Sequence, residues 1–287
     1  MKRVAVIGAG TMGHGIAQVA AQGGYDVALT DADARALQAA MERIQANLAG
    51  GVERGKISAD EADEAVRRIR LVPAMSEAAA DAELVVEAIV ERLDAKQELF
   101  RRLDEIVRPD TVLATNTSAL SVAAIAGATT GPERVVGMHF FNPVHVMKLV
   151  EIVTHDGVAP PVVEAAVAAV RRMGKEPIVV RDSPGFASSR LGVVLGLEAM
   201  RMLEHGVASA ADIDKAMELG YGHPMGPLRV SDLVGLDVRL AIAEYLYQQL
   251  KSPHYEPPAI LRAKVRAGEL GKKTGKGFYE WPKPEKS

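Results

Sequence analysis

The segment MHFFNPVHVMKLVE, residues 138–151, sets His139 and Asn142 among apolar residues and ends on Glu151, twelve positions after the histidine. Alternation puts His139 and Phe141 on one side of a strand and Phe140 and Asn142 on the other, before Pro143 stops the strand. Glu151 sits in LVEIV, a second apolar run, where a carboxylate must find a partner or change its pKa. A lone histidine in a strand could be a core residue satisfied by a carbonyl. The company of Glu151 argues instead for proton chemistry: the imidazole takes a hydroxyl proton while the carboxylate fixes its tautomer and stabilises the charge that forms. Hydride transfer from an alcohol to a nicotinamide needs such a base.

A second constellation supplies the partner for that chemistry. GAGTMG follows the apolar run VAVI directly and opens the small-residue helix GIAQVAAQGG, which is the context a GxGxxG motif requires. Gly8 permits the tight turn, Gly10 lets the backbone approach a pyrophosphate, and Gly13 lets helix and strand pack closely. The loop residues Gly8, Ala9, Gly10, Thr11, Met12 and Gly13 then present backbone donors and a helix N-terminus to the anion. Asp31, eighteen residues after Gly13 at the end of the next strand, suits an adenosine ribose and repels a 2′-phosphate, so NAD is expected over NADP. Two polar clusters follow other strands and can reach the same crevice: Asn116, Thr117 and Ser118 in TNTSAL, and Glu91 with Lys96. Turn and cap chemistry would also explain both.

These residues need a scaffold that aligns strand ends. Apolar runs at 4–7, 25–30, 83–89, 111–116, 134–141, 149–153 and 176–180 alternate with helical stretches, which predicts a mainly parallel, doubly wound α/β sheet. Between Asp33 and about Arg70 a polar, alanine-rich helical hairpin stands in, interrupted at Gly50-Gly51, its second helix opened by the capping box Ser58 to Glu61. After RDSPGF only helical segments follow, at 186–205, 209–219, 231–250 and 258–267. Residues 191–203 are apolar on nearly every face, which predicts a helix buried on all sides. The reading is therefore a dinucleotide domain at 1–182 and an all-α domain at 183–287, ending in a frayed KPEKS.

Bulk properties narrow the class. At 287 residues two domains are expected, and a net charge of -3 with 25% charged residues offers no nucleic-acid surface. The absence of cysteine excludes disulfides, thiolate metal sites and a cysteine nucleophile, and suits a reducing cytoplasm. No metal is expected. The longest apolar stretch, LGVVLGLEAM, meets Glu198 far short of a bilayer span, so no membrane role is expected.

With GAGTMGHGIAQ, VVEAIVE, NTSAL, HFFNPVHVMKLVE, DSPGF, YGHPMGPL and GKKTGKGFY in order, the chain resembles the L-3-hydroxyacyl-CoA dehydrogenase family, in particular its short bacterial 3-hydroxybutyryl-CoA members. The resemblance runs from about residue 2 to 281. It implies reversible oxidation of an L-3-hydroxyacyl-CoA to the 3-oxoacyl-CoA with NAD, in fatty-acid metabolism and β-oxidation, by a homodimer formed through the helical domain. It makes His139 the base and Glu151 its partner, with Ser118 on the substrate hydroxyl or ketone and Asn142 beside nicotinamide and substrate. Glu91, Lys96, Ser118 and Lys273 fall where the family contacts NAD, and Lys56 where it meets the phosphates of the acyl-CoA. One departure stands out: the family usually has Asn before Arg after the SPGF turn, and here Ser189 precedes Arg190. Either Ser189 serves at the thioester end through a water or with Ser188, or substrate preference and rate differ. Two other readings keep the fold. One changes the substrate to a longer or dicarboxylic 3-hydroxyacyl-CoA or a sugar acid such as gulonate; the other is an NAD-binding protein without catalysis.

Overall fold

The computed structural model describes residues 1–282, and the KPEKS end lies outside the described residues. The chain divides into two compact units between Ser183 and Pro184.

In the first unit β1 (Arg3–Ile7), α1 (Gly13–Gln22) and β2 (Asp26–Thr30) form the opening strand–turn–helix–strand, followed by the hairpin α2 (Ala34–Glu53) and α3 (Ala59–Arg67). Then come β3 (Ile69–Leu71), α4 (Met75–Ala79), β4 (Leu84–Glu87), α5 (Leu93–Ile106), β5 (Val112–Thr115) and α6 (Val122–Ala126). The unit closes with β6 (Val135–Phe140), β7 (Leu149–Thr154), α7 (Pro160–Arg172) and β8 (Glu176–Arg181). The strands make one sheet in the order β3-β2-β1-β4-β5-β6-β7-β8. All neighbours are parallel except β6 and β7. Strands β4 and β5 are buried throughout, which is why they read as unbroken apolar runs. Alanines such as Ala17 and Ala20 let α1 lie close to the sheet, where Val4, Val6, Leu29 and Val86 form the core.

Register aligns the strand ends. Ile7 pairs with Thr30 and with Glu87, and Glu87 pairs with Thr115, so four strands stop on one row. The glycine loop, Asp31, the Glu91 segment and the Asn116–Ser118 turn all leave from that row. Strand order reverses direction between β1 and β4, the point at which doubly wound sheets bind ligands.

Four sequence expectations are corrected in the described residues. Helix α2 runs through Gly50 and Gly51 without interruption. A helical glycine costs only about 1 kcal/mol, and at Gly51 a Cβ would come within 3.3 Å of the Ile57 side chain, so the glycine serves packing. The hairpin's second helix stops at Arg67, and the unpredicted edge strand β3 pairs Val27 with Ile69 and Leu29 with Leu71. In the second unit the segment expected as one helix at 231–250 is two helices, broken where Gly235 takes φ 99°.

That second unit comprises α8 (Ser188–Glu204), α9 (Ala210–Tyr221), α10 (Pro227–Val234), α11 (Leu236–Leu250) and α12 (Ala259–Arg266). Ser209 caps α9, its hydroxyl accepting from the Asp212 amide. Val193, Leu197 and Met200 carry α8 into this unit's core. Leu191 on the same helix, however, is 68% exposed, against the expectation of burial on all sides. Among the described residues no helix is long and apolar enough to cross a membrane.

Candidate active site

The glycine turn is held by the protein at two points and left open at the third. Gly8 lies at φ 104°, its amide donates to the Thr30 carbonyl at 2.8 Å, and a Cβ there would meet the Ala88 carbonyl at 2.5 Å. A Cβ on Gly13 would stand 1.7 Å from the Gly8 carbonyl oxygen. A Cβ on Gly10 would meet no protein atom within 4 Å, so packing does not demand a glycine there, whereas close approach of a ligand would. Ala9 donates its amide to Asp31 Oδ2 at 2.7 Å, tying the loop to the acid, and the Asp33 amide donates to Oδ1 at 2.9 Å. Thr11 and Met12 complete the turn, and no side chain caps the start of α1. Beside it a cleft of about 600 Å³ is lined by Gly8, Gly10, Asp31, Ala88, Val90 and Leu99, a volume suited to a nucleoside. These features fit NAD.

Across the sheet, His139 and Glu151 are direct partners in the antiparallel ladder of β6 and β7. Directly opposed residues share a face, so the imidazole meets the carboxylate: His139 Nδ1 donates to Glu151 Oε2 at 2.7 Å. Glu151 is fully buried and His139 nearly so. That bond assigns the Nδ1 proton and puts the basic lone pair on Nε2. Phe141 packs on the imidazole with ring centroids 4.5 Å apart, as the alternation of the strand requires. Gly137, two residues earlier on the same face, makes room for Val122 and Val153.

Between the two lies a polar group that sequence reading divided into separate clusters. Glu87, at the end of β4, is fully buried and accepts from Lys96 Nζ at 2.5 Å and Thr115 Oγ1 at 2.6 Å. Lys96, 1% exposed, also reaches Glu91 at 3.3 Å. Glu91 Oε1 accepts from Thr117 Oγ1 at 2.6 Å, the Ser118 amide at 2.8 Å and Ser118 Oγ at 3.2 Å. Burial alone would push the Glu91 carboxyl up; the Lys96 ammonium, the Thr117 hydroxyl and the Ser118 amide outweigh it and hold it below the usual carboxylate range. Asn116 Oδ1 accepts from the Phe140 amide at 2.8 Å, extending the ladder next to His139.

Glu87 is the member of this buried group that sequence reading passed over. Its signal was a carboxylate closing an apolar strand nine positions before a lysine. Asn142 is exposed and joined to Pro143 by a cis peptide bond. Lys56 is exposed in the turn between α2 and α3. It shares a neighbourhood with His145, whose pKa burial lowers, helped by the positive groups of His14, Lys175, Arg54 and Lys56. Lys175 is buried and donates to the carbonyls of Val144 at 2.5 Å and Met147 at 2.8 Å, pinning the loop between β6 and β7. Ser189 and Lys273 belong to the helical unit: Ser189 lies in the first turn of α8, and Lys273 pairs with Asp237 at 2.7 Å. No group of His, Asp and Glu able to hold a metal occurs among the described residues.

A dinucleotide cleft at the switch point and a buried His–Glu pair on the neighbouring strands define an NAD-dependent oxidoreductase acting on an alcohol carbon. Residues 3–183 match the 3-hydroxyacyl-CoA dehydrogenase NAD binding domain, and residues 185–281 match the C-terminal domain of the same enzymes. The chain belongs to the 3-hydroxyacyl-CoA dehydrogenase family. It is 43% identical over 281 residues to a probable 3-hydroxybutyryl-CoA dehydrogenase of Bacillus subtilis, covering 98% of each chain. It is also 43% identical to a 3-hydroxyadipyl-CoA dehydrogenase of Escherichia coli, covering 98% of this chain and 59% of that protein. The crystal structure of (S)-3-hydroxybutyryl-CoA dehydrogenase from Ralstonia eutropha superposes with TM-score 0.95 at 37% identity, over 99% of this chain and 100% of that one.

Proposed function

We propose that the chain catalyses the reversible oxidation of short-chain L-3-hydroxyacyl-CoA, 3-hydroxybutyryl-CoA above all, to 3-oxoacyl-CoA with NAD. The observation that carries the reading is the buried 2.7 Å bond between His139 and Glu151. His139 Nε2 takes the 3-hydroxyl proton while Glu151 holds the ring in that tautomer and balances the imidazolium charge. Ser118 Oγ hydrogen-bonds the substrate oxygen, and Ser189 serves the thioester end of the acyl group. NAD, when bound, would supply the hydride acceptor. The loop Gly8–Gly13 would hold its pyrophosphate, Asp31 its adenosine ribose, and Glu91, Lys96, Asn142 and Lys273 its nicotinamide half.

The CoA reading is supported by Arg54 and Lys56 in the turn after α2, two exposed cations that suit the phosphates of CoA. Likeness to a 3-hydroxyadipyl-CoA dehydrogenase favours a dicarboxylic acyl group as the second reading. We further infer a cytoplasmic homodimer of fatty-acid metabolism and β-oxidation, assembled through the helical unit. The dimer is supported by large apolar side chains on that unit's surface, with Leu191 68%, Leu219 77% and Tyr221 79% exposed. The deciding assay follows NADH oxidation with 3-oxoacyl-CoAs of increasing length and with 3-oxoadipyl-CoA. The reading expects the highest kcat/KM on acetoacetyl-CoA, and a preference for the dicarboxylic substrate would replace it with the second.

A further inference from the structure

Arg239, on α11, is 6% exposed, and no carboxylate pairs with it among the described residues. Its Nη1 donates to the Gly192 carbonyl of α8 at 2.9 Å, and its Nε is buried without a partner. The acid two positions before it, Asp237, is taken by Lys273. Burial pulls the pKa of the guanidinium down to about 10, which leaves it charged at neutral pH. Buried charges are ordinarily paired, and this one awaits an anion that the fold does not supply.

Helix α8 makes room for that anion. Ser189, Gly192 and Gly196 fall at i, i+3 and i+7, on one face of the helix. A Cβ on Gly196 would come within 3.6 Å of Arg239 Cζ and Nε and 3.1 Å of Ser231 Oγ, so glycine lets the guanidinium lie against the helix. Gly192 is exposed, and a Cβ there would meet only Arg239 Nη1, at 3.9 Å. The guanidinium therefore edges open space beside Gly192. At a rise of about 1.5 Å per residue, Gly192 and Gly196 lie about 4.5 Å and 10.5 Å along the axis from Ser189. An extended six-carbon acyl chain spans about 6 Å from its thioester carbon to its last carbon, whereas a four-carbon chain spans about 4 Å and stops short.

We propose that Arg239 is a specificity-determining residue that binds the terminal carboxylate of a six-carbon dicarboxylic acyl-CoA, with Gly192 leaving space for that carboxylate. The inference rests on the place proposed above for Ser189 at the thioester end, and it adds a dicarboxylic substrate to the short-chain one. A carboxylate beside Gly192 accepts from Nη1 and supplies the missing counter-charge. A methyl group in the same place leaves the guanidinium unpaired, so the site favours the diacid over the monoacid of equal length.

Two ligands of equal length isolate the charge: the full chain is titrated with adipyl-CoA and with hexanoyl-CoA in a calorimeter, which needs no turnover. Wild type should bind adipyl-CoA about tenfold or more tighter than hexanoyl-CoA. Arg239→Met should bring that ratio to within about twofold of one, with the loss falling on adipyl-CoA. A wild type without the preference overturns the proposal. An equal loss on both ligands in Arg239→Met overturns it as well, because it marks a structural role for the guanidinium. If Arg239→Met turns a sedimenting pair of chains into single chains, an acid of a second copy meets the guanidinium, and the proposal falls. Should that variant fail to fold, Gly192→Asp sets a carboxylate of the chain itself beside Nη1. It is expected to abolish the preference for adipyl-CoA, and an unchanged preference would count against the site. A wild type that shows the preference yet turns over no hydroxyacyl-CoA would refute the function proposed above and leave the carboxylate site standing.

Discussion

His139 and Glu151 face one another across an antiparallel ladder, so the backbone itself brings the imidazole to the carboxylate. Replacing Glu151 by Gln keeps the shape and removes the charge that pairs with an imidazolium. Glu151→Gln should lower kcat roughly 10²- to 10⁴-fold with little change in KM for NAD, as read from steady-state kinetics. Asp31 holds the Ala9 amide of the glycine loop and stands at the proposed ribose end of the cofactor: Asp31→Ser should reduce the kcat/KM preference for NAD over NADP by about ten- to a hundredfold, the worth of a hydrogen bond to a charged group. The His–Glu pair was legible in the sequence because two polar residues interrupt apolar runs at strand spacing. Glu87 was not, because its meaning depends on Thr115 and Lys96, which the fold brings to it from another strand and a helix. The groups around His145 were hidden for the same reason, since they come from three separate segments of the chain.

Glycines separate the demands of an element from those of a ligand. At Gly13 an added methyl would collide with the Gly8 carbonyl at 1.7 Å, so Gly13→Ala should destabilise the protein by about 3 kcal/mol or more, seen as a large drop in Tm. At Gly10 an added methyl would meet no protein atom within 4 Å. Gly10→Ala should therefore hold stability within about 0.5 kcal/mol yet weaken NAD binding tenfold or more, measured by calorimetry. The same distinction explains which elements could be read beforehand. The buried parallel strands and their helices announce themselves by unbroken apolar runs and caps such as Ser58 and Ser209. Gly50 and Gly51 look like a break yet sit inside α2, while Gly235 looks like part of a helix yet ends one, because the backbone angle and not the residue decides. Strand β3 holds three residues with an arginine in the middle, too short a pattern to recognise before its pairing with β2 is known.

For the whole molecule, cofactor binding and stability are linked. NAD at a hundred times its Kd should stabilise the protein by about 2.7 kcal/mol and raise Tm by several degrees, whereas NADP at the same concentration should do far less. Sedimentation should give a mass twice 30.5 kDa, and Leu219→Glu with Tyr221→Glu should shift it toward the single chain. Acetoacetyl-CoA-dependent oxidation of NADH should proceed in the wild type and drop about 10³-fold or more in His139→Gln, with NAD affinity unchanged. Wild-type protein without turnover, or a His139→Gln variant within tenfold of it, would contradict the central claim.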